Sequence, residues 1–221
     1  MPSKARMALD ENLQDVAALL TIHATEGGAG AGRRYGLEVL NKSAIVLITS
    51  YWEAYCEDIA EEGLECIVAH AATADFLPTE IKKIIAKELK GENNELAIWR
   101  ISDDKWRQVL QDRLKAMQEV RNRKLNTPKH MNIDELFKSA IGLSNVSSKG
   151  VWAKKLTVVK AREKLDKFVA LRGEIAHRGN ARTSVTKSQV VDYLRFIKHL
   201  AAKTGGAVNT HVKSIIGQSL F

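Results

Sequence analysis

Arg172 and His177 are the two residues of this 221-residue chain whose type and setting point to chemistry. The segment around them places Val158, Leu165, Phe168, Val169, Ile175 and Ala176 on one side of a helical wheel. Arg172 stands on that apolar line, four residues after Phe168 and four before Ala176. A guanidinium on a core-facing line is costly unless it pairs with an acid, contacts a ligand or faces another subunit. His177 is turned roughly 140° from Arg172 on an ideal helix, so the two meet only if the helix ends at His177 or if two copies cross. A helix C-terminus is a favourable place for an imidazolium. That setting suits a general acid, or a cation facing a phosphorane-like transition state. Plain structural roles fit the same residues: a histidine closing its helix, and an arginine paired with an acid such as Glu62.

The elements that must position these residues read as helices throughout. Residues 8–25 carry Leu9, Leu13, Val16, Leu20 and Ile22 as a modest apolar stripe, and the glycine-rich run 27–32 ends it as a turn. That run contains a GxG but follows a helix rather than a strand, so it is no nucleotide cradle. From Arg33 to about Ala72 no proline occurs. Ala44, Ile45, Ile48, Tyr51, Trp52, Tyr55, Cys56 and Ile59 share one side of a long helix there, with a bend expected at Gly63. Its stretch 51–65 holds Glu53, Glu57, Asp58, Glu61, Glu62 and Glu65 and no base, and most of these acids are expected to face water. Glu62 projects onto the apolar stripe, toward a buried partner.

Further on, Leu77-Pro78-Thr79-Glu80 opens a helix, Ser102-Asp103-Asp104 opens another, and Asn132 to Glu135 has the form of a cap for a short third. Gly142 to Gly150 reads as a loop. A helix is expected from about Trp152 to His177 with Gly179 beyond its end, then one opened by the capping box Thr186-Lys187-Ser188-Gln189 and closed by Gly205-Gly206. The fold class is all-α: a single-domain, up-and-down helical bundle with extra short helices. Residues 1–32 form the N-terminal helix and turn, 33–204 the bundle core and 205–221 a tail.

Composition excludes several classes. No apolar run is long enough to span a bilayer, and no apolar stretch follows the basic N-terminus, so the chain is expected to be cytoplasmic with no membrane partner. Cys56 and Cys66 lie roughly 15 Å apart on one helix, too far for a disulfide. His23, His70, His130, His199 and His211 are scattered without metal-ligand spacing, so no metal and no other cofactor is expected. The net charge of +8 is uneven: residues 1–150 sum to −2, and residues 151–221, with 14 Lys and Arg against 4 Asp and Glu, to +10. A basic third attached to an acidic remainder suits a polyanion, a contact between two copies, or a solvated face.

Three ordered blocks bear a resemblance. Arg172 to His177 is similar to the R-x4-6-H motif of the HEPN superfamily. Ser43 to Leu47 followed by Tyr51-Trp52-Glu53-Ala54-Tyr55-Cys56-Glu57-Asp58 resembles the WE-x-Y-x-E helix of its RNA-ligase-associated branch, RiboL-PSP-HEPN. Leu125 to Pro128 with Asn132 to Phe137 and Ile141 to Leu143, and then Leu171 to Gly179, resemble that branch's middle and C-terminal segments. One departure is Gly173, where the superfamily commonly places a polar side chain.

The resemblance implies a helical homodimer that brings two Arg/His pairs together, cleaving RNA without a metal. Arg172 and His177 are then the catalytic residues, Arg178 and Arg182 the RNA-binding ones, and Glu62 and Glu174 supporting. The settings it implies are toxin–antitoxin and anti-phage systems, with a cognate antitoxin or defence partner. A non-catalytic RNA-binding or antitoxin-like dimer is the alternative.

Overall fold

The computed structural model describes residues 1–27, 36–119, 127–148, 156–178 and 184–221, the side chains of Gln118 and Arg178 excepted. These residues form seven α-helices: α1 (Lys4–Gly27), α2 (Glu38–His70), α3 (Thr79–Lys90), α4 (Trp106–Glu119), α5 (His130–Ile141), α6 (Val158–Arg178) and α7 (Lys187–Ile216), with short 3-10 turns and no strand among them. The all-α bundle expected from the sequence is the fold observed. Residues 28–32 of the glycine-rich run, the basic cluster 121–124 and Gly179 fall outside the described residues.

α2 is the hub, because its 33 residues carry apolar side chains on several sides: Ala44, Ile45, Ile48, Trp52, Tyr55, Cys56 and Ile59 are all buried. Helices α1, α4, α5, α6 and α7 pack against it. Leu9, Leu13 and Val16 of α1 are buried, and each such side chain stabilises the docking by roughly 1.5–3 kcal/mol. Ile22, placed on the same stripe from the sequence, is exposed. The last carbonyls of α2 have no partner within the helix. Arg107 supplies one, donating to the carbonyls of Val68 at 2.9 Å, Ala71 at 2.5 Å and Ala72 at 3.3 Å.

At two glycine positions helices come close. α2 continues through Gly63, where an added Cβ would meet Ile141 Cγ2 at 3.3 Å and Val208 Cγ1 at 3.4 Å. α7 does not end at Gly205-Gly206; it runs on to Ile216. The Tyr55 hydroxyl donates to the Ala201 carbonyl at 2.7 Å, and a Cβ on Gly205 would lie 2.8 Å from that hydroxyl oxygen. Glycine here clears a path for a buried tyrosine instead of stopping a helix.

The capping box of α7 is present, with Thr186 accepting from the Gln189 amide. α5 begins at His130, before the predicted cap at Asn132. The Asn132 amide group donates to the Thr127 carbonyl at 2.7 Å, and the His130 amide donates to Asp166 on α6 at 3.0 Å.

Candidate functional site

One face of helix α6 is buried, and the helix surfaces toward its end. Ala161, Leu165 and Val169 are in the core, Ile175 is buried, and Ala176 and His177 are exposed. Arg172 sits at the transition with a side chain 26 % exposed. Its acid partner is Glu53 on α2, with Nη2 4.0 Å from Oε2. Nε of Arg172 is buried and has no hydrogen-bond partner among the described residues. Among the described residues only this long ion pair answers the guanidinium, so its exposed end keeps hydrogen-bonding capacity for an anion.

Behind Arg172 the polar groups form a line along α2. Thr49, Glu53 and Glu57 follow at helical i, i+4 spacing, and all three are buried or nearly so. Burial pushes the Glu53 carboxyl up to about 7; Arg172 pulls it down, and the neighbouring Glu57 pushes it further up. Tyr193 of α7 lies beneath, stacked on Phe168 with ring centroids 3.9 Å apart. Its hydroxyl is 3.0 Å from Thr49 Oγ1. The Thr49 hydroxyl already donates to the Ile45 carbonyl at 2.8 Å, so Tyr193 is the donor between them. Burial raises Tyr193 well above the ordinary phenol range, against the pull of the Arg172 charge. The tyrosine stays a neutral donor, close enough to Arg172 to feel its charge.

In front of Arg172 lies an open cleft of about 500 Å³, lined by Thr127, Lys129, Val169, Ala170, Arg172, Gly173 and His177. The 140° that separates Arg172 from His177 on the helix is spanned by this cleft, because Gly173 projects between them. An added Cβ on Gly173 would meet nothing within 4 Å among the described residues, so they leave the floor there open. One chain thus places Arg172 and His177 on one cavity.

The other predicted residues separate from it. Glu62, expected as a partner for Arg172, accepts hydrogen bonds from the Ala5 and Lys4 amides at the start of α1 and lines no part of the cleft. Glu174 is half-buried on α6 and does not line the cleft either. The Arg178 side chain and Arg182 lie outside the described residues. Among the tryptophans, Trp52 and Trp106 are core anchors and Trp99 is 68 % exposed. No described helix is long and apolar enough to cross a membrane. Cys56 and Cys66 are free thiols. Among the described residues no three His, Cys, Asp or Glu side chains gather as a metal-binding group.

Two residues at the site escaped sequence reasoning. Glu53 carried a signal, since it is spaced four from both Thr49 and Glu57 beside the apolar stripe of α2 and falls on the WE-x-Y-x-E block. Lys129, in the segment after Pro128, carried none.

No curated protein and no solved structure matches the chain. The model of the RiboL-PSP-HEPN family matches residues 9–209, from the first turns of α1 into the last third of α7, and the chain belongs to that family.

Proposed function

We propose that the protein is a metal-independent endoribonuclease, with Arg172 and His177 as its catalytic residues. The observation that carries this reading is the shared cleft: a poorly satisfied guanidinium and an exposed imidazole open on one cavity at the end of α6. In the reaction, the 2′-oxygen of a ribose attacks the adjacent phosphorus. A P–O2′ bond forms and the P–O5′ bond breaks, leaving a 2′,3′-cyclic phosphate and a 5′-hydroxyl. One proton leaves the 2′-hydroxyl and one reaches the departing 5′-oxygen. His177 carries one of these transfers, since imidazole is the side chain whose ordinary titration range spans neutrality. Arg172 holds the non-bridging oxygens as negative charge builds on the phosphoryl group.

A homodimer that faces two such clefts toward each other supplies the second proton-transfer group from the partner's His177. The exposure of His177 leaves it accessible to that role. Arg178 and Arg182, next in sequence, extend the contact along the RNA. The setting we propose for this activity is toxin–antitoxin or anti-phage defence, with an antitoxin or defence protein as partner.

The test is cleavage of varied single-stranded RNAs in excess EDTA. Wild type should cut and leave cyclic phosphate ends. His177→Ala should lose about 10²–10⁴ in rate while remaining folded. Arg172→Lys should be impaired as well, because a point charge does not reproduce a bidentate guanidinium contact. Intact RNA with wild type, or equal cutting by His177→Ala, would falsify the reading.

A further inference from the structure

We infer that Lys129 forms a second phosphate site in the same cleft, binding the RNA linkage next to the one that Arg172 holds. This rests on the ribonuclease reading for the identity of the ligand, and on the geometry of the α5–α6 edge for the site.

The cleft has two walls of different origin. One is α6, with Arg172 and His177; the other is the segment that leads into α5, with Thr127 and Lys129. Gly173 leaves the floor between them clear, since a Cβ there would meet nothing within 4 Å among the described residues. Lys129 is exposed, pairs with no acid among the described residues, and its side chain does not cap α5. An ammonium with no partner at the rim of a cavity that already holds a poorly satisfied guanidinium attracts anions to that cavity.

The lysine is also held in place. Its backbone amide donates to the Thr127 carbonyl at 2.8 Å, and the Asn132 side chain donates to the same carbonyl at 2.7 Å. The next residue is clipped to α6: Asp166 accepts the His130 amide at 3.0 Å, and its other oxygen meets His130 Nδ1 at 2.8 Å. Asp166, Ala170, Gly173 and His177 follow at steps of four, three and four, which places them on one face of α6. The clip therefore joins the α5 wall to the helix face that ends in His177. The backbone of Thr127 and Lys129 is thereby fixed beside the cleft, so the ordering that a ligand demands there falls on the lysine side chain.

The two cations differ in kind. A guanidinium forks around one phosphate, and an ammonium acts as a point charge with rotatable donors. Arg172 accordingly holds the reacting phosphate and Lys129 a flanking one. The ligand is a single strand with at least two consecutive linkages. Lys129 reads no base, because phosphate contacts carry no sequence information.

The test uses binding, so it does not depend on cleavage. Fluorescent single-stranded RNAs of unrelated sequence are titrated against His177→Ala protein over a salt series, and Lys129→Ala is added in that background. Binding should weaken about tenfold for every sequence, and the slope of log affinity against log salt should become shallower by about one. Lys90→Ala, an exposed lysine that lines no part of this cleft, should change affinity far less. Neutral methylphosphonates are then placed singly along the RNA. At one linkage the neutral group should weaken the Lys129 protein about tenfold and the Lys129→Ala protein hardly at all.

Equal effects from Lys129→Ala and Lys90→Ala, or methylphosphonate penalties that are the same with and without Lys129, overturn the proposal. Asp166→Ala separates positioning from charge. Removing an acid by itself strengthens RNA binding, whereas loosening the clip weakens it; tighter binding would overturn the role given to Asp166. RNA that binds by these rules but is never cut by wild type would sink the ribonuclease reading and leave the phosphate site standing.

Discussion

Glu53 and Glu62, two of the half-buried glutamates of helix α2, lie about 13 Å apart along its axis and have opposite fates. Burial raises both carboxyls. At Glu62 the opposing pull comes from the Ala5 and Lys4 amides and the Lys4 charge, so this carboxylate caps α1 from outside the helix. At Glu53 it comes from one guanidinium 4.0 Å away, and Glu57 works against it. Backbone amides cannot leave without unwinding a helix, so Glu62 is committed to structure. A side-chain cation can turn to another anion, and Arg172 has the open cleft in front of it. The difference shows how one helix separates fold from site: by whether a buried charge is answered by backbone or by a movable side chain.

The largest expected change comes from removing the charge at Glu53. Its carboxyl holds a proton up to about 7 in the folded chain against 4.5 for the ordinary group. A raised folded value means that the stability contributed by the protonated form is fully present below the unfolded value and is lost as pH rises through the folded one. Wild type should therefore lose stability from this group between about pH 5 and pH 8. Glu53→Gln should match wild type near the lower limit and exceed it at the upper by on the order of 1–3 kcal/mol. Thermal melts of both proteins across that range check this. A constant offset between them would remove Glu53 as the titrating group and dissolve the contrast with Glu62.

Glu62→Ala should do the reverse. Loss of a capping acceptor at α1 costs about 1 kcal/mol, a fall of about 2–4 °C in Tm, with RNA binding and cleavage as in wild type. Loss of RNA cleavage at unchanged Tm would move Glu62 from the fold to the site.

The smallest effect sharpens the same contrast on α6. Gly173 lies within the helix with no neighbour in the space of a Cβ, so Gly173→Ala should stabilise the fold by roughly 0.5–1 kcal/mol. The added methyl stands on the cleft floor between Arg172 and His177, and cleavage should slow as stability rises. Paired Tm and rate measurements decide it; a rise in both would show that the open floor has no part in binding.

The sequence by itself determined the helical class, the long central helix, the capping box at Thr186 and the segment that holds Arg172 and His177. These are local signals: apolar periodicity, proline and glycine spacing, and a polar side chain three residues before its backbone partner are written in adjacent positions. It also marked Arg172 as needing a partner, since a charge on an apolar line is costly wherever the helix docks. Tertiary structure alone decided that the partner is Glu53, because which turn of α2 meets which turn of α6 depends on packing between segments more than a hundred residues apart. It decided that Gly205 admits Tyr55 where the sequence had indicated a helix end, for a glycine reads the same locally in both uses. It brought Lys129 to the cleft through the Asp166 clip, a contact between two helices with no local pattern to announce it. Periodicity specifies which face of each helix is buried; which neighbour covers that face, and at what height, is settled when the helices pack.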